Sequence, residues 1–590
     1  GNQLLLDRSR LVHHAFHGFE AEVGCYLATG STPSLASIGY YHFSSEQLPK
    51  LAGWSGRLQA VIFDGFSAGL NVTSDSETDT SVLANLTYEF NNAPPETGTG
   101  IRRRLLNSVQ RHYHVVRREV PVFDPLPATL TSTGAEVRVV HASSAGAAPG
   151  NGAFETPFTD VASAAASAAT VPDSIIFAHG GSVFNGQSIV VPDGVRFLGE
   201  GQTHQINTAE LGNITLPAAS GIAVAPIIAN SPVGLAAISA GSMTEINGLT
   251  VQNAGGTGIL VNGINSSSLV SNVSVNGAVD GVRVTGNTGT SINFVDLTVA
   301  NTTGTGIFAQ NTSANFSGTT TVNGTAADGV FIGSTQNAQA VTFAGPLNIS
   351  NSGLAGLRMA NNADASLISF NDAVTVTTTA GHGIHFDRNA DEALAVFSGP
   401  TTVTGAGGDG IHISNVDPGG TLLTATHINF QGTTTVNTST GAGVMVDNHG
   451  GNVGFQNLQV LNWTPSAIVI NNSTGDFTVV DPLNLNNVTG SLAATILLSN
   501  ATGSTTFGDV TITDTSRGAL GNASVSILNS NTGVDFITFN SLNVTTNQGR
   551  GTFGAERRLY QRSTANQRRY TQFDRRASCG AEQHQHRSHI

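Results

Sequence analysis

Gly329-Val330-Phe331-Ile332, Gly356-Leu357-Arg358-Met359, Gly383-Ile384-His385-Phe386 and Gly410-Ile411-His412-Ile413 follow one another at steps of 27 residues. Each is a glycine, an apolar residue, a variable residue and a second apolar residue. The pattern extends outward to Gly258-Ile259-Leu260-Val261, Gly281-Val282-Arg283-Val284 and Gly306-Ile307-Phe308-Ala309 on one side, and to Gly443-Val444-Met445-Val446 on the other. A short fixed period of this kind builds a chain by stacking one unit on copies of itself. Phe316, Phe343, Phe370 and Phe397 keep the same beat of 27 residues, and Phe430 and Phe455 continue it.

Between the two markers lie apolar-alternating stretches such as Val374-Thr375-Val376 and Thr401-Thr402-Val403, so each period holds about three short strands. Strands this short cannot bury a core alone, but a coil of three lets each residue sit over its equivalent in the next turn. The reading is an all-β right-handed parallel β-helix, a solenoid; handedness follows the general preference of parallel crossovers. A leucine-rich repeat and a propeller lack their own patterns here. The density of Thr, Val, Asn and Gly excludes helical solenoids. Roughly fourteen coils at about 4.8 Å each give about 70 Å. Within a tetrad the second and fourth residues point inward and the third outward. Asn262, Asn311, Asn361, Asn389, Asn415, Asn448 and Asn471 recur just after the tetrads, where left-handed corners and a side-chain ladder are expected.

The 590 residues carry 69 Gly, 11% charged and 6% aromatic residues, as a thin repetitive core with many tight turns requires. A net charge of -14 argues against nucleic-acid binding, which needs clustered Lys and Arg. From 141 to 548 the basic residues are Arg196, Arg283, Arg358, Arg388 and Arg517, whereas nine Arg fall between Arg550 and Arg587. Cys25 and Cys579 lie in unlike segments and predict no structural disulfide, while permitting export. There is no apolar run of 18 residues and no signal peptide, and a start at Gly1 reads as a lost N-terminus.

The boundaries read as an N-terminal remnant at 1–15, a partial antiparallel barrel or meander at 16–92, a linker at 93–140, the β-helix with an N-terminal cap at 141–547, and a disordered or frame-shifted tail at 548–590. Residues 19–27, 37–43, 57–63, 66–72 and 82–90 alternate as antiparallel strands, some with aromatic ends. A soluble meander has the same pattern. The cluster His13-His14-Ala15-Phe16-His17 reads as a loop. Ser81 to Phe90, Arg102-Arg103-Arg104-Leu105 and Val115-Val116-Arg117-Arg118-Glu119-Val120-Pro121-Val122 resemble the closing strands and exit linker of inverse autotransporter barrels of the intimin and invasin type. That resemblance implies an outer-membrane barrel carrying a surface passenger. Residues 141–206, with Asn151 to Phe158 leading into Val161 to Ala169, resemble the entry to β-helix passengers and to pectate-lyase-like proteins, some of them enzymes.

The outward residues Arg283, Phe308, Phe331, Arg358, His385 and His412, flanked by Leu260 and Met445, form a single column suited to a polysaccharide, which offers both apolar faces and hydroxyls. Ordinary solvent-facing variation is the simpler account of the column. His385 and His412 are two imidazoles without a third ligand, so no metal site and no cofactor is read. Asp280, Asp328 and Asp409 precede tetrad glycines; paired carboxylates suit glycoside hydrolysis, but Asp-Gly is first a turn dipeptide. Arg358, Arg388, Asp387 and Asp391 form a grouping that a lyase needs to neutralise a uronate. No catalytic residue is assigned. The expected role is that of a cell-surface adhesin, structural coat or spacer, in the outer membrane or secreted. Its partners are a polysaccharide or cell-surface ligand, and the outer membrane through the N-terminal strands. The alternative is a polysaccharide lyase or hydrolase.

Overall fold

The computed structural model describes residues 2–88, 117–546 and 553–555, apart from residues 8, 30–31, 47–48, 64–65, 76–78, 288–290, 337, 363–364, 390–392, 415–426, 488–492, 515–523 and 531–535. The chain divides into two compact units, one of Leu5–Pro127 and one of Gly1–Leu4 with Ala128–Ile590.

The second unit is a parallel β-helix. Its 14-stranded parallel sheet has one strand per coil, from Ile189–Val191 through Ile384–Asp387 and Ile411–Ser414 to Phe553–Ala555, and eight of these strands are the tetrads. Ile259, Val282, Ile307, Val330, Leu357, Ile384, Ile411 and Val444 pair in direct succession. Both apolar positions of every tetrad are buried, and the third residue is partly exposed. The glycine that opens each tetrad is required by close approach between walls. A Cβ at Gly383 or Gly410 would lie 2.2 Å from Val403 Cγ1 or Val436 Cγ1 on the opposing strand. Of the four strands of this sheet that follow the last tetrad, Ile468–Asn471, Ile496–Ser499 and Val525–Leu528 have Ala467, Thr495 and Ser524 at the glycine position.

A 22-stranded sheet supplies the other two strands of each coil, either separately, as in Leu394–Phe397 and Thr401–Ala406, or fused, as in Ser313–Thr325. Its inward phenylalanines form one file. Phe294, Phe316, Phe343, Phe370, Phe397, Phe430 and Phe455 stack with successive centroid separations of 4.7, 4.5, 5.2, 4.4, 4.4 and 4.6 Å, and Phe477, Phe507 and Phe539 extend it.

Corners obey the backbone rather than the asparagine alone. Among the described residues, the fifth residue after the tetrad glycine is left-handed: Gly263, Gly286, Asn311, Ser334, Asn361, Arg388 and Asn448, the non-glycines at φ 50–55°. Asn262 and Asn471 instead close strands, the bend falling on Gly263 and Asn472, and Asn415 lies outside the described residues. Asn389 is one residue past the bend, in a buried ladder where Thr335 Oγ1 donates to Asn362 Oδ1 (2.8 Å) and Asn362 Nδ2 to Asn389 Oδ1 (2.7 Å). The first coils are closed by α1, Val161–Ala168. Asp160 caps it by accepting from Ser163 N at 2.6 Å, and Val161, Ala164, Ala165 and Ala168 cover the apolar end.

The solenoid begins at Val139–Ala142, two residues before the expected boundary, and its last described strand, Phe553–Ala555, lies beyond the expected end at 547. Residues 556–590, with Cys579 and the arginine-rich tail, lie outside the described residues.

The first unit holds a five-stranded antiparallel sheet of His17–Thr29, Thr32–Ser44, Leu51–Phe63, Phe66–Asp75 and Asp79–Tyr88, paired in sequence order. All five expected strands are present. Register separates two faces of opposite character. Phe19, Val23, Ile38, Trp54, Leu58, Leu70, Val82 and Leu86 share one face and are all exposed, Val23 at 77% and Trp54 at 62%. The other face carries Tyr41, whose hydroxyl donates to Asp75 Oδ2 at 2.6 Å, and Arg57 paired with Glu22 at 3.6 Å. His13 and His14 are in a strand rather than a loop. Ser9–Ala15 pairs with Arg117–Phe123, a partner about a hundred residues away that local sequence could not reveal.

Candidate functional site

The third tetrad position places Leu260, Arg283, Phe308, Phe331, Arg358, His385, His412 and Met445 side by side in one column, each paired with the next. Phe308 and Phe331 stack at 4.9 Å, with the Arg283 guanidinium 4.1 Å from the Phe308 ring and that of Arg358 5.8 Å from Phe331. The ring faces are therefore taken up by each other and by the flanking cations, as the quadrupole of an aromatic ring favours.

A second column runs beside it, one residue before each glycine, where Asp280, Asp328, His382 and Asp409 stand. Each aspartate ties its coil to the next through one oxygen. Asp280 Oδ1 accepts from Thr305 N at 3.0 Å, Asp328 Oδ1 from Ala355 N at 3.0 Å, and Asp409 Oδ1 from Ala442 N at 2.6 Å. The second oxygen faces the outward column. Asp280 Oδ2 holds Arg283 at 3.0 Å, and Asp409 Oδ2 accepts from His412 Nδ1 at 2.6 Å.

The two columns meet in a polar cluster over the coils that begin at Gly329, Gly356, Gly383 and Gly410. Arg358 reaches Asp328 Oδ2 at 3.8 Å and Asp387 Oδ2 at 2.7 Å, and Arg388 donates to Asp387 Oδ1 at 3.1 Å. Of the lyase grouping, Arg358, Asp387 and Arg388 are together; Asp391 lies outside the described residues. Beside them His382 and His385 of one coil stand over Asp409 and His412 of the next. The imidazole centroids are 4.9 Å (His382 to His385), 4.3 Å (His382 to His412) and 5.1 Å (His385 to His412) apart.

Burial sets most of the protonation states here. It lowers His385 to about 3, helped by the neighbouring imidazoles, and it lowers His382 in the same way against the pull of Asp409. Both are neutral near pH 7. Burial alone would raise Asp409 and Asp387, but the hydrogen bond from His412 holds Asp409 below the ordinary carboxylate value, and those from Arg388 and Arg358 do the same for Asp387. Burial raises Asp328 despite the Ala355 N–H and Arg358. The cluster thus combines fixed guanidiniums, ionised carboxylates and neutral imidazoles, a set able to bind hydroxyl and carboxylate groups and to exchange protons.

His385 and His412 have a third imidazole beside them, that of His382, which spacing along the outward column does not reveal. Its signal was the column preceding the glycine, which becomes a contact only when adjacent coils are superimposed.

No protein-family model and no curated protein sequence matches the chain. Among solved structures, the A-module of the Azotobacter vinelandii mannuronan C-5 epimerase AlgE4 is similar at 12% identity, covering 69% of this chain and 97% of that one with a TM-score of 0.33. No residue role is carried over from it.

Proposed function

We propose that this chain is a bacterial cell-surface protein whose N-terminal sheet is part of an outer-membrane barrel and whose β-helix is the displayed passenger. The passenger engages a polysaccharide or another cell-surface ligand along the outward column, in an adhesive or structural role. The observation that carries the proposal is the reversed polarity of the N-terminal sheet. A soluble sheet buries its apolar face, whereas here Phe19, Val23, Ile38, Trp54, Val82 and Leu86 are exposed and the opposite face pairs Arg57 with Glu22 and Tyr41 with Asp75. That is the arrangement of a barrel strand set with lipid outside and polar groups inside. The resemblance of residues 81–122 to the end of an inverse autotransporter barrel supports the same reading.

The chain has two tryptophans, Trp54 on the exposed apolar face and Trp463 fully buried in the β-helix. In a Trp463→Phe variant, transfer into micelles of a brominated alkyl maltoside is expected to quench the remaining emission strongly. Unchanged emission from Trp54 would refute the membrane assignment. For the passenger, a glycan array should register binding that falls when Arg358 and His385 are replaced by Ala.

A second reading, a polysaccharide lyase or hydrolase, is favoured by the Asp328–Arg358–Asp387–Arg388 network, which links acid and base across three successive coils. Release of unsaturated uronates or of new reducing ends from acidic polysaccharides, abolished by Arg358→Ala, would establish it.

A further inference from the structure

We propose that His382, His385 and His412 form a binding site for a divalent transition metal of the zinc class. One ring nitrogen from each of the three lies within 4.8 Å of the other two. Three imidazoles around tetrahedral zinc, with Zn–N about 2.0–2.1 Å, require nitrogens roughly 3.3 Å apart. Side-chain rotations that shift the rings by about 1 Å therefore close the site without moving the strands. The backbone beneath is fixed by the direct pairing of Ile384 with Ile411 and of His385 with His412.

Asp409 supplies the outer support such a site needs. Its Oδ2 accepts from His412 Nδ1 at 2.6 Å, so His412 presents the lone pair of Nε2. The same oxygen lies 3.4 Å from His382 Nδ1. That nitrogen accepts the Asp409 backbone N–H at 3.0 Å; when the ring turns and its proton moves from Nε2 to Nδ1, this bond is given up, Nδ1–H points to the carboxylate instead, and Nε2 is released as a ligand. One carboxylate then orients two imidazoles and supplies negative charge to a neutral ligand set. Its other oxygen is anchored by Ala442 N, which limits its swing. The nearby guanidinium of Arg358 faces Asp387 at 2.7 Å and Asp328 at 3.8 Å. Three protein ligands leave one coordination position for water or an oxygen ligand. Between residues 205 and 546 the sequence holds five histidines, and three of them meet here. The inference stands independently of polysaccharide binding.

The test is zinc binding by the full chain after dialysis against a chelator, with ZnCl₂ as titrant at neutral pH. Histidines elsewhere bind zinc as well, so the quantity read is the difference between the parent and the His382→Ala/His385→Ala/His412→Ala variant. The variant is expected to bind one equivalent fewer, and Asp409→Asn to weaken that equivalent by at least tenfold. Cobalt in place of zinc should give the visible absorption of a tetrahedral site in the parent and not in the triple variant. Should the triple variant lose its sheet circular dichroism, His385→Gln, on a partly exposed position, replaces it, with a loss of at least tenfold in affinity expected. Equal stoichiometry and affinity in parent and folded variants would overturn the proposal, as would a parent without the tetrahedral cobalt spectrum.

Discussion

Replacing Phe370 by Ala removes one ring from the middle of a continuous stack. Phe370 is fully buried, with Phe343 at 5.2 Å on one side and Phe397 at 4.4 Å on the other, both nearly parallel. Loss of a buried Phe side chain costs about 3–5 kcal/mol when the cavity cannot collapse. Collapse is hindered here because the adjoining coils are pinned by strand pairing on all three walls. Each aromatic pair adds about 0.5–1.5 kcal/mol beyond its buried area. In a solenoid each coil touches only its neighbours, which makes the coupling pattern diagnostic. Phe370→Ala with Phe397→Ala should cost less than the two single losses together by about 1 kcal/mol, because both singles destroy the same stack. The corresponding coupling with Phe343 should be smaller, since that pair is farther apart. Phe294→Ala with Phe455→Ala, at opposite ends of the tightest part of the file, should be additive. Urea unfolding followed by circular dichroism, and by Trp463 emission in a Trp54→Phe background, gives the midpoints. A cost below about 1 kcal/mol, or equal coupling for near and distant pairs, would refute the shared-column account of stability.

Glu200, 8% exposed, accepts from Gly180 N, Ser220 N, Ser220 Oγ and Gly221 N at 2.6–2.9 Å. Burial alone would raise its pKa, but these donors hold it below the ordinary 4.5, so its stabilisation is complete above that value and is lost as the pH falls through the lower folded one. Glu200→Gln should cost about 2–4 kcal/mol at pH 7 and progressively less toward pH 3, and a pH-independent difference in urea midpoint would contradict this. Arg388 occupies a left-handed corner where equivalent coils use Gly, Asn or Ser. Arg388→Asn relieves a backbone cost of about 1 kcal/mol and removes a partly exposed ion pair of up to about 1 kcal/mol. Stability should therefore stay level or rise, and a midpoint shift equivalent to a loss above 1 kcal/mol would mean that the Asp387 contact governs the corner.

The solenoid was legible because its rules are periodic. The tetrads named the inward residues, and the phenylalanine step of 27 named the file, since each depends only on spacing along the chain. Corners were legible only to within a residue. Asn tolerates the left-handed bend but also serves as a strand end at Asn262 and as a buried ladder member at Asn389. Three of the coils after Gly443 escaped the tetrad pattern because Ala467, Thr495 and Ser524 fill the glycine site.

The polar cluster was legible only in half. His385 and His412 stood out because they share a repeat position, and Asp409 because it precedes a tetrad glycine as Asp280 and Asp328 do, whereas His382 stands at that same preceding position, where the occupants change from coil to coil. Their meeting depends on two offsets at once, three residues along the strand and one coil across, and only the stacked register makes both short. In a globular fold a three-imidazole cluster needs several elements brought together by tertiary packing. Here the frame that stacks Phe370 on Phe397 also delivers any side chain at a repeat position to within one strand spacing of its counterpart, about 4.8 Å. Chemistry then requires substitutions in only two adjacent coils, while the inward residues that specify the fold stay unchanged. Sequence periodicity consequently reports the scaffold with great redundancy, and the departures from it, His382 and Arg388 among them, are where function is to be sought.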